Sequence, residues 1–162
     1  MPTKQIKNST EEFIIKLQTL FDIENVLLKA IPKMEKGASN EELKNGFRDH
    51  LEETKMHIIR LEDAFALLEQ TLKKLKSEGI RGIIEDGARV LEVNAEKLLK
   101  DTMIASAVRH VEHYEMAGYI TAIAEAESLK LGEIAGLLNE TLGEEMGADE
   151  KLCMIVKDKI EN

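Results

Sequence analysis

Apolar residues recur at three- and four-residue intervals through four long segments of this chain, which is the spacing of one face of an α-helix. Proline occurs only twice, tryptophan is absent and aromatic residues make up 4% of the composition, so there is little material for strands. The 162 residues fit a single domain that spans positions 1–162. The sequence therefore predicts an all-α fold, an antiparallel four-helix bundle with an additional short crossover helix.

Capping residues indicate where the first helix begins and ends and where the second begins. Ser9 or Thr10 precedes two glutamates, which is typical of a helix N-terminus. Gly37 is the expected end of this helix. Ser39, with two glutamates close behind it, is predicted to begin the second helix.

The second helix is predicted to be unusually long. No glycine or proline occurs from residue 47 to residue 78, so this helix would form a rod of roughly 50 Å. Gly79 and Gly82 are expected to end it. The amphipathic segment 83–99 then crosses back over the bundle, and Asp101 is predicted to cap the next long helix.

The charge and the cysteine content argue against several classes of function. A net charge of −9 opposes binding to nucleic acid, whose phosphates need a positive surface, whereas it is compatible with attracting cations. The lone cysteine, Cys153, can form neither an intramolecular disulfide nor a cysteine-based zinc site. The sequence shows no apolar run of about 18 residues and no signal-type N-terminus. We therefore expect a cytoplasmic protein that does not associate with membranes.

Acidic residues and histidines interrupt the apolar stripes of all four long helices, near the middle of each. Residues three or four positions apart share a helix face, so several of these side chains are predicted to point into the core together. Each buried charge without a partner costs several kcal/mol, and protonation, pairing with Lys or Arg, or a bound cation could offset that cost. The residues are Glu24, His50, Glu53, His57, Glu112, Glu115, Glu145 and Asp149.

A pair of metal ions is the compensation that this set of residues favours. The stripes themselves carry no Lys or Arg, and carboxylates combined with imidazole suit iron or manganese. We expect two such ions. The predicted ligands are Glu24, Glu53, His57, Glu112, Glu115, Glu145 and Asp149.

Three further residues are alternatives or supporting partners. Glu144 competes with Glu145, since a small rotation of the last helix would exchange them. His50 could bind a metal, hydrogen-bond to a ligand or be an ordinary core histidine, and we favour the second role. His113 neighbours Glu112 but lies off the stripe, so we expect it to support the site or to lie on the surface. One glutamate on an apolar stripe can reflect a misjudged helix register, but the same feature on four helices indicates a shared polar site.

Several segments of the chain are similar to a known family. They occur in the family's order over nearly the whole chain, and they include a His-Tyr-Glu motif at residues 113–115. The sequence resembles the YciE/YciF-like bacterial stress proteins, and the segments that carry the resemblance are residues 50–54, 60–62, 82–87, 111–117, 140–145 and 148–152. This resemblance implies a ferritin-like fold, related to that of rubrerythrins and bacterioferritins, and a homodimer.

The ligand pattern of the wider ferritin-like superfamily is not fully matched. That superfamily usually supplies one Glu from each of two helices and a Glu-x-x-His motif from each of the other two. In this sequence the second helix carries Glu53-x-x-x-His57 and the last helix has no His, so Asp149 would have to take its place. The resemblance therefore implies a more carboxylate-rich, or a single-metal, form of the site.

Three functions are compatible with these observations. A metal-dependent stress protein could react with oxygen or peroxide, with Tyr114 or Tyr119 relaying an electron. A non-enzymatic structural or stress protein could keep the polar core as a vestigial or structural ion site. An iron-storing cage is the third, although the chain carries few signals for cage assembly. The sequence favours a metal-binding, ferritin-like protein of the stress response and does not decide whether it is an enzyme.

Overall fold

The computed structural model describes residues 5–160, and the side chains of residues 5–158. Within this range the chain contains no strand, which confirms the predicted all-α fold. No helix within the same range combines the length and the apolar character needed to cross a membrane. The helices are α1 (Ser9–Gly37), α2 (Glu41–Leu67), α3 (Glu78–Glu92), α4 (Lys97–Ser128) and α5 (Gly132–Ile160).

The four long helices surround one core in the order α1, α2, α5, α4, and each runs antiparallel to its neighbours. At one end of the bundle Lys16 of α1 pairs with Glu125 of α4, with an Nζ–Oε1 distance of 2.5 Å. The short helix α3 packs outside this core, on α4 and α1, and carries the chain back between the two helical hairpins. This is the predicted antiparallel four-helix bundle with a short crossover helix.

The apolar stripes of the long helices form the core. Phe13, Phe47 and Phe65 are at most 2% exposed, and aliphatic residues from all four long helices fill the space between them. Burial of each such side chain stabilises the fold by about 1.5–3 kcal/mol. The same packing fixes the rotation of each helix about its axis and so decides which polar residues face inwards.

Asparagines, rather than hydroxyl residues, cap the first two helices. The side-chain oxygens of Asn8 and Asn40 each accept a hydrogen bond of 2.9 Å from the backbone N–H three positions further on. The predicted capping residues Ser9, Thr10 and Ser39 are therefore wrong by one or two positions. Ser, Thr and Asn make the same bond at a helix start, so neighbouring residues of these types cannot be ranked from the sequence.

The predicted length of α2 is wrong, because the helix ends at Leu67 rather than near Gly79. It ends in a Schellman motif, in which Glu69 adopts a left-handed φ of 52°. The N–H groups of Glu69 and the next residue bond back to carbonyls of the last helical turn. Lys130 ends α4 in the same way, with a φ of 61°. Glycine is usual at this position, so a charged residue there gives no sequence signal.

The two glycines expected to end α2 lie inside α3 instead. This helix begins at Glu78, and Ser77 caps it by accepting a hydrogen bond from the N–H of Ile80. Gly79 leaves room for a close contact, because a Cβ at this position would overlap the hydroxyl of Tyr114 and displace that side chain. The glycine therefore marks a close approach of α3 to α4 and not a helix end.

Asp101 does not cap α4, because that helix already begins at Lys97. The Asp101 side chain is buried and accepts hydrogen bonds from the backbone N–H groups of Ser39, at 2.7 Å, and Asn40, at 2.8 Å. It thus satisfies free donors at the start of α2, where a negative charge is also favoured by the helix dipole.

Candidate metal centre

Ionisable side chains from all four long helices meet in the middle of the bundle, and each is at most 4% exposed. One comes from α1, two from α2, two from α4 and one from α5. They are Glu24, His50, His57, Glu112, Glu115 and Glu145.

Helical periodicity places these side chains on the buried faces of their helices. His50 and His57 lie two turns apart on α2, and Glu112 and Glu115 lie one turn apart on α4, so each pair shares a helix face. Each residue occupies a place on the apolar stripe of its own helix. The packing that buries the stripes therefore buries these polar groups as well.

His57 joins α1 to α5. Its Nδ1 lies 3.3 Å from an oxygen of Glu24 and 3.0 Å from an oxygen of Glu145. Its Nε2 lies 2.9 Å from Glu144 at the edge of the cluster. The hydroxyl of Tyr119 donates a hydrogen bond of 2.5 Å to the other oxygen of Glu24. On this side of the cluster Glu24 is therefore hydrogen-bonded to both His57 and Tyr119, whereas neither oxygen of Glu145 has a hydrogen-bond partner among the described residues.

His50 faces the remaining carboxylates. Its Nε2 lies 3.2 Å from Glu112 and 4.0 Å from Glu145. Its Nδ1 lies 3.5 Å from Glu53, towards the surface. Glu115 faces the same space, and neither of its oxygens has a hydrogen-bond partner among the described residues.

The side chains form two groups that share one carboxylate. Within each group, every member can offer one nitrogen or oxygen atom, and these atoms lie within 4.8 Å of one another. Glu145 belongs to both groups and stands between them. The His50 group is His50, Glu112, Glu115 and Glu145, and the His57 group is Glu24, His57 and Glu145.

Hydrogen bonding leaves the His50 group incomplete. Both oxygens of Glu112 and of Glu115, and both ring nitrogens of His50, lack a hydrogen-bond partner within residues 5–158. His50 and Glu112 are close, but their atoms do not have hydrogen-bond geometry. A buried polar atom without a partner costs about 1–3 kcal/mol. Nitrogen and oxygen lone pairs directed at a common space are the donor set that iron or manganese accepts, so these residues fit such ions.

Burial and mutual repulsion oppose ionisation of the carboxylates. Burial, followed by the charges of Glu145, Glu24 and Glu112, raises the pKa of Glu115 well above its ordinary value. Burial also raises the pKa of Glu145 to about 7, against the lowering effect of its bond to His57. The pKa of Glu24 is raised by burial in the same way.

The neighbouring carboxylates favour protonation of the two histidines. Burial lowers the pKa of His57, but bonds to Glu145 and Glu24 outweigh burial and raise it to about 10. Burial opposes protonation of His50 too, yet the charge of Glu112 raises the pKa of His50 well above its ordinary value. Four carboxylates still face only two imidazoles, so a cation can neutralise the excess negative charge.

The donor set has the usual composition of the superfamily in a different arrangement. Four glutamates and two histidines are also what two single Glu residues and two Glu-x-x-His motifs would supply. Here both imidazoles come from α2, as His50 and His57, and α4 supplies the Glu112-x-x-Glu115 pair. His50 therefore provides the second imidazole. The usual pattern of two Glu-x-x-His motifs would place that imidazole on the last helix instead.

Two predicted ligands, Glu53 and Asp149, lie outside both groups. The side chain of Glu53 is 38% exposed and reaches the cluster only through His50. Asp149 accepts a hydrogen bond of 2.7 Å from Arg109 and lies 3.1 Å from Nε2 of His113. Burial raises the pKa of Asp149, but these two partners outweigh it and lower the pKa. Arg109 and exposed His113 thus hold Asp149 in a separate ion pair.

Glu144 lies at the edge of the cluster, and Glu145 is the residue that faces the core. Glu144 accepts two hydrogen bonds from Arg60, at 2.6 and 2.8 Å, besides its contact with His57. Arg60 was not among the predicted site residues because it lies off the apolar stripe. Its long side chain nevertheless spans the gap between α2 and α5.

The two tyrosines considered from the sequence differ in position. Tyr119 is fully buried and bonded to Glu24. Tyr114 is 36% exposed and lies 3.3 Å from the hydroxyl of Ser77 at the junction with α3. Of the two, only Tyr119 contacts the cluster.

Comparison with known proteins gives the same fold and a family. Residues 8–162 match the family described as domain of unknown function, DUF892. The chain is 36% identical to Protein YciF of Escherichia coli (strain K12), over 97% of this chain and 98% of that protein. The crystal structure of the E. coli stress protein YciF matches with a TM-score of 0.93 and 32% identity, over 97% and 99% of the two chains.

Two further solved structures are similar. YcfI from Rhodopseudomonas palustris matches with a TM-score of 0.89 and 34% identity, over 94% and 97% of the two chains. Ferritin like, diiron-carboxylate proteins from Bacillus anthracis str. Ames match with a TM-score of 0.69 over 93% and 99%, and their 16% identity shows the fold alone. The predicted ferritin-like fold and the predicted resemblance to the YciE/YciF-like proteins are confirmed. The chain belongs to the DUF892 family, with the stress protein YciF among its relatives.

Proposed function

We propose that this protein is a metal-binding member of the bacterial stress response, with a centre for two iron or manganese ions in the bundle core. The observation that carries the proposal is the sharing of buried Glu145 by two groups of potential ligands. Iron or manganese, when bound, supplies a redox couple that can react with oxygen or peroxide. The name of one relative supports the stress-response part of this proposal, since YciF of E. coli is called a stress protein.

Under this proposal each side chain of the cluster has a distinct task. Glu145 would offer a ligand to both positions, and the other members of the His50 and His57 groups would complete the two ligand sets. Tyr119 orients Glu24 by its hydrogen bond, and Arg60 holds Glu144 at the rim. Partners of this kind usually set the orientation and basicity of metal ligands.

Anaerobic loading with Fe(II) or Mn(II), followed by elemental analysis, tests the centre. We expect two ions per wild-type chain. Glu112→Gln removes a buried ligand and should lower both the affinity and the number of bound ions, whereas Glu52→Gln changes an exposed carboxylate on α2 and should not. A wild-type protein that stays metal-free after loading would leave a structural protein with a vestigial polar core as the better description.

The outer face of α4 supports the proposed homodimer. Apart from Arg109, whose 38% exposed side chain is paired with Asp149, the exposed residues of α4 between positions 106 and 124 include no Asp, Glu, Lys or Arg, although a third of the chain is charged. Two copies of a chain with a net charge of −9 can meet at such a face without like-charge repulsion. This face carries Ser106, His110, His113, Tyr114, Ala117, Ile120, Thr121 and Ala124.

Light scattering after size-exclusion chromatography tests the homodimer. We expect the mass of two chains, which would also exclude an iron-storing cage. Ile120→Lys on α4 should produce monomers. Ile59→Lys introduces the same charge on α2, diagonally across the bundle, and should leave the dimer intact. Monomeric wild-type protein would contradict the proposal. We further propose that residues 1–162 form a single domain, that the protein is cytoplasmic and that it does not bind nucleic acid.

A further inference from the structure

A cavity of about 380 Å³ leads from the surface to the His50 group between α2, α4 and α5. Its inner end is lined by His50 and Glu112, and its walls are largely apolar. Neither Glu24 nor His57 lines it. The cavity therefore approaches one side of the cluster only. The apolar wall residues are Phe47, Val108, Leu152 and Ile155.

Three glycines widen this cavity without an evident structural need for them. Gly46, Gly143 and Gly147 lie inside helices and line the cavity. None has a positive φ, and a Cβ would meet nothing within 4 Å at Gly143 or Gly147 and only a distant lysine carbon at Gly46. Glycine inside a helix destabilises that helix relative to alanine. The three glycines therefore lower the stability of their helices and leave the cavity wider than side chains would.

Polar atoms at the inner end of the cavity have no partner in the protein. Glu112 is fully buried and His50 is 4% exposed, and neither the carboxylate oxygens of Glu112 nor the ring nitrogens of His50 make a hydrogen bond among the described residues. Both residues line the cavity, although these atoms are themselves shielded from solvent. The arrangement is that of a binding position approached from outside.

The mouth of the cavity carries one carboxylate, that of Glu53, which pairs with no lysine or arginine among the described residues. The other two lining carboxylates are paired: Asp49 lies 2.9 Å from Nζ of Lys151, and Glu144 binds Arg60. Glu53 also lies 3.5 Å from His50, so its carboxylate stands between the rim and the buried group. A carboxylate without a basic partner at the mouth of a cleft attracts cations and raises their association rate.

We propose that this cavity is the route by which divalent cations reach the centre, with Glu53 as the transit carboxylate and the His50 group as the first position filled. The inference rests on the proposed metal centre. The ion passes from the mouth to His50 and Glu112, and the shared Glu145 stands between this position and the His57 group. Glu53 would then exchange ions with the solvent instead of holding one permanently.

Stopped-flow absorbance with Co(II), under anaerobic conditions, measures the rate of uptake separately from the final occupancy. Gly143→Leu and Gly147→Leu fill the cavity and should slow uptake by about tenfold or more, because the ion must then wait for local opening of the helices. The final number of bound ions should equal that of the wild type. Gly136→Leu is the matched control: this glycine also lies in α5 with nothing within 4 Å of a Cβ, but it does not line the cavity.

Charge variants at the mouth test the same route without filling it. Glu53→Gln should slow uptake, and Lys151→Gln should accelerate it, by up to about tenfold at low ionic strength, and both effects should shrink as salt screens the mouth. Equal uptake rates for the wild type, the glycine variants and the charge variants would overturn the route while leaving the centre in place. Absence of Co(II) binding by the wild type would overturn the centre and the route together.

Discussion

The His50 group and the His57 group share a carboxylate but are built differently. In the His57 group, Tyr119 bonds to Glu24, and His57 contacts Glu24, Glu144 and Glu145. In the His50 group, buried nitrogen and oxygen atoms have no hydrogen-bond partner among the described residues, and two of its members, His50 and Glu112, line a cavity that opens to the surface. The first arrangement holds Glu24 and His57 in position without an ion. The second is unfavourable until a cation arrives, which is the property expected of the position that is filled first.

Glu145→Gln should have the largest effect, because it alters the one ligand common to both groups. We expect the affinity for Mn(II) to fall by more than the roughly 100-fold that loss of a supporting partner can cause. Isothermal titration would measure it. Glu150→Gln, an exposed neighbour on the same helix, is the control. Loss of only one of two ions would show that the groups bind independently and that Glu145 does not bridge them.

The stability of the metal-free protein should fall as the pH rises. The pKa of Glu145 is raised from 4.5 to about 7, so this carboxyl opposes folding increasingly over that interval. The pKa of His57 is raised from 6.5 to about 10. The stability that protonated His57 contributes to the fold is therefore complete below pH 6.5 and is lost as the pH rises through 10. The slope is at most about 1.4 kcal/mol per pH unit for each proton. Urea titrations from pH 5 to pH 10 would measure it.

Metal should reverse this trend, because ligands bind ions in their deprotonated form. The difference in midpoint between loaded and metal-free protein should therefore grow with pH. A metal-free protein whose stability is constant between pH 5 and pH 9 would contradict the buried, uncompensated cluster.

Replacement of one carboxylate from each group by methionine should have opposite effects on the metal-free protein. Glu115→Met removes a repelled carboxylate that has no hydrogen-bond partner, and should stabilise the fold by about 1–4 kcal/mol. Glu24→Met breaks the bonds to Tyr119 and His57 and should destabilise it by about 1–3 kcal/mol. Chemical denaturation in the presence of a chelator would compare them. Destabilisation by both variants would mean that the two groups are equally well satisfied.

Tyr119→Phe should have the smallest effect and should be confined to the His57 group. Loss of the hydroxyl frees Glu24 from its 2.5 Å hydrogen bond, and affinity at that position should fall by about tenfold. Binding of the first ion should be unchanged. Tyr114→Phe, at the junction with α3, is the control. Two-site analysis of Mn(II) titrations would separate the positions, and an equal loss at both would contradict the confinement of the Tyr119 contact to the His57 group.

The sequence predicted the buried polar residues better than the helix boundaries. Glu24, His57, Glu112, Glu115 and Glu145 lie on apolar stripes, and the structure buries all of them. The end of α2 could not be found in this way, because Glu69 occupies the left-handed position where glycine is the usual signal. The prediction from Gly79 was wrong for the opposite reason. This glycine lies inside α3, where it allows close contact with Tyr114, and it does not end a helix.

Helical periodicity also could not predict which of the acidic residues on these helix faces form ion pairs outside the cluster. Asp149 lies one turn from Glu145, but it pairs with the guanidinium of Arg109 on α4 and does not contact the cluster. His50 and Glu53 lie one turn apart on α2, yet one is buried and the other reaches the surface. These outcomes depend on how far neighbouring helices are rotated and on the reach of long side chains.

The order of residues along the chain determined the helical character, the face of each helix that is buried, and the number of acids and imidazoles carried into the core. These properties follow from local spacing, since the α-helix repeats every 3.6 residues whatever it packs against. Tertiary structure alone decided that Glu145 stands between two groups, that Tyr119 and Arg60 support one side, and that a cavity opens to the other. Those contacts join residues from different helices, and only the packing of the helices against one another sets the distances between them.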